Sequence, residues 1–390
     1  MTETMEENMQ RAHVDIAVVG GGIIGASSAL HLQSAGLSVA IVDSAHEFRA
    51  SNAAAGMLTP ACEFDDWMPS AFWELLTEGL EYYEPFLERF GLGHDATGYR
   101  DSDFTLLQMR ETGVDLRPRL DMLRSLKVRS DWLDGDEVTS VEPSLSPGAY
   151  TGAIRIHDQG VVNPLLLHDE VMKRFVSDGG RVISSPVVDF GERGNDVLVS
   201  TADGSVVIAA KVVLAAGPWT AQVAALAGHR LPDYTPVKGQ MVELSGPARL
   251  TNSVVFMPAG GCGSIVERAP GRYIVGTSEE YVTPSVANTA GVVGAILTRL
   301  RRVLPAAGEW SIERMWTGFR PMLTDELPAI GEIGGGEFIV AAGHHRNGVL
   351  LAPFTGKLVA DLIAGTKVWD LSPYRPDRPQ RRHARFAGKY

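Results

Sequence analysis

The stretch "VDIAVVGGGIIGASSALHLQSAGLSVAIVD", Val14 to Asp43, decides the fold. Val14, Ile16, Val18 and Val19 predict a strand buried on both faces. Gly20, Gly22 and Gly25 follow in the order G-x-G-x-x-G. In that pattern Gly20 permits a tight turn, Gly22 lets a pyrophosphate approach the backbone, and Gly25 lets helix and strand pack closely. A helix is expected from about Ile24 to Ser34, with Gly36 as its stop, and a second strand from Leu37 to Val42. Asp43 ends that strand, 23 residues after Gly20. A carboxylate there accepts both hydroxyls of an adenosine ribose and disfavours a 2′-phosphate. Strand, turn, helix, strand and acid at these spacings predict a dinucleotide site, without choosing between NAD and FAD.

Beyond it, "ASNAAAGM" (Ala50 to Met57) has almost no side-chain bulk, which suits a backbone that hugs a planar ligand. From Trp67 to Phe90 the spacing of Trp73, Leu76, Leu80, Tyr83 and Phe86 predicts a helix whose aromatics belong to a core. A second helix opens at Asn163 as N-cap, with Pro164 in its first turn, Leu167, Val171 and Phe175 as its buried stripe and Gly179 as its stop. A strand, a hairpin and a further strand, Lys211 to Ala216, lead to Gly217. From Tyr234 to about Gly318 short alternating segments predict an antiparallel sheet, interrupted by a helix from about Thr289 to Leu304 with Asn288 as N-cap. "EFIVAAG" (Glu337 to Gly343) is again a buried strand, and a loop leads from it into a helix that stops near Gly365. The fold class is therefore α/β, α+β overall: a Rossmann-like domain built from separated pieces, with an antiparallel-sheet domain inserted.

The 390 residues are enough for two sizeable cores. A net charge of −12 argues against nucleic acid and anionic membranes as main partners. Only the end is basic: Arg375, Arg378, Arg381, Arg382, Arg385 and Lys389 face Asp377 alone, which reads as a solvated tail. Two cysteines, Cys62 and Cys262, form no CxxC pair, which fits a reducing compartment. The acidic start lacks the pattern of a signal peptide, and there is no apolar run long enough to span a membrane, so a cytoplasmic protein is expected. Neither G-x-S-x-G, nor a P-loop, nor a metal signature occurs; adjacent His344 and His345 lack a third ligand at suitable spacing, so no metal is expected.

Five stretches together carry a resemblance: "GGGIIG" (Gly20 to Gly25), "AAAGML" (Ala53 to Leu58), "PVKGQ" (Pro236 to Gln240), "MWTGFRP" (Met315 to Pro321) and "AAGHHRNGVLLAP" (Ala341 to Pro353). From about Val14 to Arg378 the chain resembles the D-amino-acid-oxidase superfamily of flavoproteins, and within it the glycine oxidase branch. The resemblance implies non-covalent FAD and oxidative deamination of a small amino acid or amine, with oxygen as acceptor. A homo-oligomer is compatible with it. It implies an FAD-binding domain from 13–60, 150–233 and 320–370, a substrate domain from 61–149 and 234–319, and a basic tail at 371–390. Gly20, Gly22, Ile23, Ile24, Gly25, Asp43, Ser44, Ser51, Ala55, Gly56, Met57 and Gly217 would line the cofactor. The backbone of Val187 would meet the adenine. His344, His345, Arg346, Asn347, Gly348, Val349 and Leu350 would wrap the flavin ring, with backbone groups making the contact. Arg320 would clamp the substrate carboxylate, Arg346 would be a second substrate-side arginine, and Ser264 and Met57 would complete the substrate site. A guanidinium holds a carboxylate through two parallel hydrogen bonds. The helix after Asn347 would aim its positive end at the flavin. The chemistry implied needs no acid–base dyad, since the cofactor takes the difficult step.

The chain departs from the branch at one place. Glycine oxidases carry an aromatic side chain over the substrate and a histidine two residues earlier; the segment Gly260-Gly261-Cys262-Gly263-Ser264 puts Ser264 and Cys262 there. Either the pocket is open and takes a larger amine or N-substituted amino acid, or the register shifts by one and Tyr273 or Tyr281 supplies the ring. Two other readings stay open: a dehydrogenase of the same fold with a non-oxygen acceptor, and a flavin-binding protein without turnover.

Overall fold

The first strand, Arg11–Val19, feeds two cores at once. Ile16 and Val18 pack with Leu30, Ile41 and Val213 on one face, and Ala17 and Val19 pack with Ala40, Val212 and Leu214 on the other. A strand covered on both sides is the mark of a parallel sheet, and Arg11–Val19 runs parallel to both Val39–Val42 and Val206–Leu214. The computed structural model describes residues 11–45, 49–64, 68–247, 249–257, 262–281, 285–366 and 369–380. Arg181–Ile183 and Phe338–Ala342 extend this sheet in parallel, and Ala329–Ile333 adds an antiparallel edge.

The helix Ile23–Ser34 is rich in small residues and buried on most of its surface, from Ile23 to Leu32. An apolar helix without a polar face belongs inside a protein. It lies against the final helix Gly348–Ile363 so closely that a Cβ at Gly356 would overlap the Ser27 carbonyl. Pro164–Ser177 also packs here through Leu167, Val171 and Phe175, and Asn163 caps it by accepting from the Leu165 and Leu166 amides.

Several expectations need correction. The second strand of the hairpin and the strand expected before Gly217 are one strand, Val206–Leu214: its first half pairs with Asp196–Thr201, its second with Phe338–Ala342, and its whole length with the first strand. The helix expected over 67–90 is two, Ser70–Glu81 and Tyr83–Phe90, hinged at Tyr82; Trp67 lies outside the described residues. Phe72, Leu75, Leu76, Tyr83 and Phe86 join the core of the parallel sheet, and the Tyr83 hydroxyl donates to the Val349 carbonyl (2.8 Å). These helices therefore pack on the nucleotide side, across the sequence boundary at 61. Trp73, as expected, belongs to a core. Asn288 is not a cap: Thr289 takes the N-cap position of Ala290–Val303, and the Asn288 side chain accepts from the Thr317 hydroxyl (2.6 Å).

Among the described residues the second sheet has nine strands, and it is not purely antiparallel, because Ser253–Phe256 runs parallel to Arg100–Met109. Tyr150–Val161 pairs within this sheet, beyond the boundary drawn at 150. Thr235–Ser245 sits between Ser311–Met322 and Arg272–Gly276. The segment read as a solvated tail is anchored through its start: Tyr374 is buried, its hydroxyl donates to Ala71 (2.6 Å), and the Arg378 guanidinium pairs with Asp325 (2.8 Å). Arg381, Arg382, Arg385 and Lys389 lie outside the described residues. No helix among the described residues is long and apolar enough to cross a membrane.

Candidate active site

The turn after the first strand is built as its glycines predict. Gly20 has φ +109°, and a Cβ there would run into the Ala215 backbone; a Cβ at Gly25 would overlap the Gly20 carbonyl. Only glycine tolerates both demands. A Cβ at Gly22, by contrast, would find nothing nearer than Ser51 Oγ at 3.4 Å. Ser51 Oγ accepts from the Ile23 amide (3.0 Å), and the helix carries no acid in its first turn.

This turn opens on a cavity of about 540 Å³ whose lining comes from both sheets. The volume lies within the range of roughly 300–1,000 Å³ usual for ligand and cofactor sites. Nearly every predicted residue lines it: Gly20, Gly22, Ile23, Ile24, Asp43, Ser44 and Ser51; Ala55, Gly56, Met57, Val187 and Gly217; Ser264 and Arg320; and the run from His344 to Leu350. Gly25 is the exception, packed beneath the turn against Gly20 and Val18. Its role is to bring helix and strand together.

Asp43 is more engaged than the ribose role requires. Oδ1 accepts from the Gly21 amide (3.0 Å), and Oδ2 accepts from the Ala45 amide (3.0 Å) and from Arg49. Arg49 was not singled out from the sequence. It also donates to the Gly21 carbonyl (3.1 Å) and lines the cavity, while its buried Nε has no partner. The only signal was a lone arginine opening a run of small residues. Space at Gly22, a helix N-terminus without an acid and an orphaned guanidinium N–H suit the phosphates of a dinucleotide.

At the other end two arginines differ in their company. Arg320 is half-buried, donates to the Thr277 hydroxyl (2.7 Å) and the Ser278 carbonyl (3.2 Å), and has no carboxylate within ion-pair distance among the described residues. Burial, with Arg346 nearby, lowers its pKa below the ordinary guanidinium value. Arg346 instead pairs with Glu63 (3.0 Å), which raises its pKa. Glu63 lines the cavity too, and no local pattern announces it, because the pair joins residues far apart in sequence.

Ser264 is buried and lines the cavity; Cys262 does not. Tyr273 is fully buried and stacks on Trp310 (4.7 Å) in the core of the second sheet. The Tyr281 hydroxyl donates to Glu279 (2.8 Å). Neither ring is among the cavity-lining residues. Gly260 and Gly261 lie outside the described residues. His344 is buried, with Nε2 and the Thr355 hydroxyl 3.0 Å apart, and burial pushes its pKa down to about 3. Among the described residues no cluster of His, Cys, Asp or Glu could hold a metal ion.

Residues 15–362 match the family model for FAD dependent oxidoreductases. The chain is 32% identical over 366 residues to a glycine oxidase from Geobacillus kaustophilus, covering 92% of this chain and 96% of that one. It is 32% identical to the bifunctional protein ThiO/ThiG of Synechocystis, over 91% of this chain but 52% of that protein. Among solved structures, glycine oxidase from Geobacillus kaustophilus superposes with a TM-score of 0.87 at 29% identity, covering 95% of this chain and 100% of that one. Iminodiacetate oxidase from Chelativorans sp. BNC1 gives a TM-score of 0.81 at 25% identity, covering 93% and 98%.

Proposed function

Because this chain belongs to the family of FAD dependent oxidoreductases that its residues 15–362 match, we propose that it oxidises the Cα–N bond of a small amino acid or N-substituted amino acid. Oxygen is the acceptor and leaves as hydrogen peroxide, and water hydrolyses the imine to an oxo acid and ammonia or an amine. FAD, when bound, takes up the hydride released from Cα.

The glycine turn, Arg49 and the small residues from Ala53 to Met57 would hold the dinucleotide. The observation that carries the substrate reading is Arg320: a cation in a cavity wall, with only neutral partners, is completed by a carboxylate. Held there, the substrate presents Cα at a fixed place, which is worth more to the rate than affinity alone. The likeness to glycine oxidases supports an amino-acid substrate, and the likeness to iminodiacetate oxidase extends the class to N-carboxymethyl compounds.

Ser264 supports a substrate larger than glycine. No aromatic ring from Tyr273 or Tyr281 replaces the missing bulk, so a larger substrate would bury apolar atoms there at about 25 cal/mol per Å². The test is a panel of glycine, sarcosine, iminodiacetate and bulkier amino acids assayed for peroxide. A carboxylate-bearing amine larger than glycine should give the highest kcat/KM, and Ser264→Tyr should lose that preference. Release of no peroxide with any member would overturn the oxidase reading; glycine as best substrate would overturn the open pocket.

A further inference from the structure

His345 occupies an unusual place. Its side chain is 3% exposed, it lines the large cavity, and its backbone is left-handed at φ 46°. Non-glycine residues in that conformation are uncommon and gather at functional sites. The backbone is pinned by a hydrogen bond from the His345 amide to the Pro321 carbonyl (2.9 Å), directly beside Arg320. Nδ1 lies 3.5 Å from Glu326, and Nε2 lies 3.6 Å from Glu279 but has no hydrogen-bond partner. A buried imidazole nitrogen without a partner calls for a ligand.

The groups that face it come from four segments. Glu279 follows the strand Arg272–Gly276, Glu326 follows Ser311–Met322, Arg320 belongs to that strand, and Arg346 is the next residue, paired with Glu63 of Pro60–Glu63. Tyr281 donates to Glu279. Burial holds the imidazole below its ordinary pKa, against the pull of the two glutamates, so it rests neutral at physiological pH. With Nδ1–H directed at Glu326, Nε2 keeps its lone pair.

Resting on the reading of the site as an amino-acid oxidase, we propose that His345 accepts the proton that the substrate ammonium must lose before its Cα–N bond can be oxidised, with Glu279 and Glu326 stabilising the imidazolium. One N–H bond of the ammonium breaks and one forms at Nε2; no electrons are transferred in this step. The amine lone pair freed in this way is the one that forms the imine. A neutral base flanked by two carboxylates suits this proton transfer, because it is ready to accept and the charge it gains is compensated.

The test is the rate of anaerobic flavin bleaching by the best substrate, measured against pH in wild type, His345→Gln and Glu279→Gln, with flavin content recorded for each. At neutral pH His345→Gln should be slower by about 10²-fold, the usual contribution of a positioned base. That deficit should close as pH rises past the ammonium pKa of the substrate, because the amine then arrives without its proton. Glu279→Gln should show a smaller deficit, on the order of tenfold, that closes in the same way. A deficit equal at every pH, or none, overturns the proposal, since a merely structural histidine shifts the rate by a constant factor. If His345→Gln does not hold flavin, Glu279→Gln decides by the same criterion. Failure of the wild-type flavin to bleach with any amino acid overturns the oxidase reading and this proposal together, whereas bleaching with parallel pH curves overturns this one alone.

Discussion

Arg320 and Arg346 line the same cavity, but of the two only Arg346 is paired with a carboxylate among the described residues. Glu63 already neutralises Arg346, whereas Arg320 leans on a hydroxyl and a carbonyl. Truncating one partner of a desolvated charge pair costs about 2–5 kcal/mol. Arg320→Ala should therefore lower kcat/KM for a carboxylate substrate by about 10²-fold or more, with FAD content unchanged. Steady-state kinetics and the flavin-to-protein absorbance ratio check this, and loss of flavin would make Arg320 a structural residue. The "R" in "MWTGFRP" was picked out through resemblance, and Arg320 lies in the cavity wall. What was not legible is that Arg346 is paired, because Glu63 lies 283 residues away in sequence and meets it only in the fold.

Among the elements, the glycine turn was read most completely, since its geometry is set within a few residues. Gly25→Ala would drive a methyl group into the Gly20 carbonyl, separating helix from strand and moving the amides that face the cavity. The variant should be recovered with little or no flavin, as read from its visible absorbance; a fully loaded Gly25→Ala protein would refute the packing role. Elements set by distant partners were read less well. Val206–Leu214 looked like two strands because its partners change halfway along, from a hairpin neighbour to Phe338–Ala342. Periodicity records burial and not which strand does the burying. Likewise Asn288 has the chemistry of a cap, but its side chain is drawn to Thr317 on a strand from another part of the chain.

For the whole molecule, the placement of the thiols bears on how the cofactor is held. Neither Cys62 nor Cys262 lines the large cavity, and burial pushes the Cys62 thiol up to about 12 and raises that of Cys262. Neutral thiols are poor nucleophiles. Acid precipitation should release the yellow chromophore into the supernatant, and a coloured pellet would show a covalent bond. The sequence by itself determined the parallel sheet and the glycine turn, because these depend on local spacing, on glycine's conformational freedom and on strands buried on both faces, whereas the run from His344 to Leu350 in the cavity wall was read only through resemblance. Tertiary structure alone decided which charges meet: Arg49 with Asp43, Arg346 with Glu63, and His345 between Glu279 and Glu326. The last two sets join residues from separate segments of the chain. Coulomb interactions act through space at a few ångströms, and no pattern of neighbouring residues encodes them.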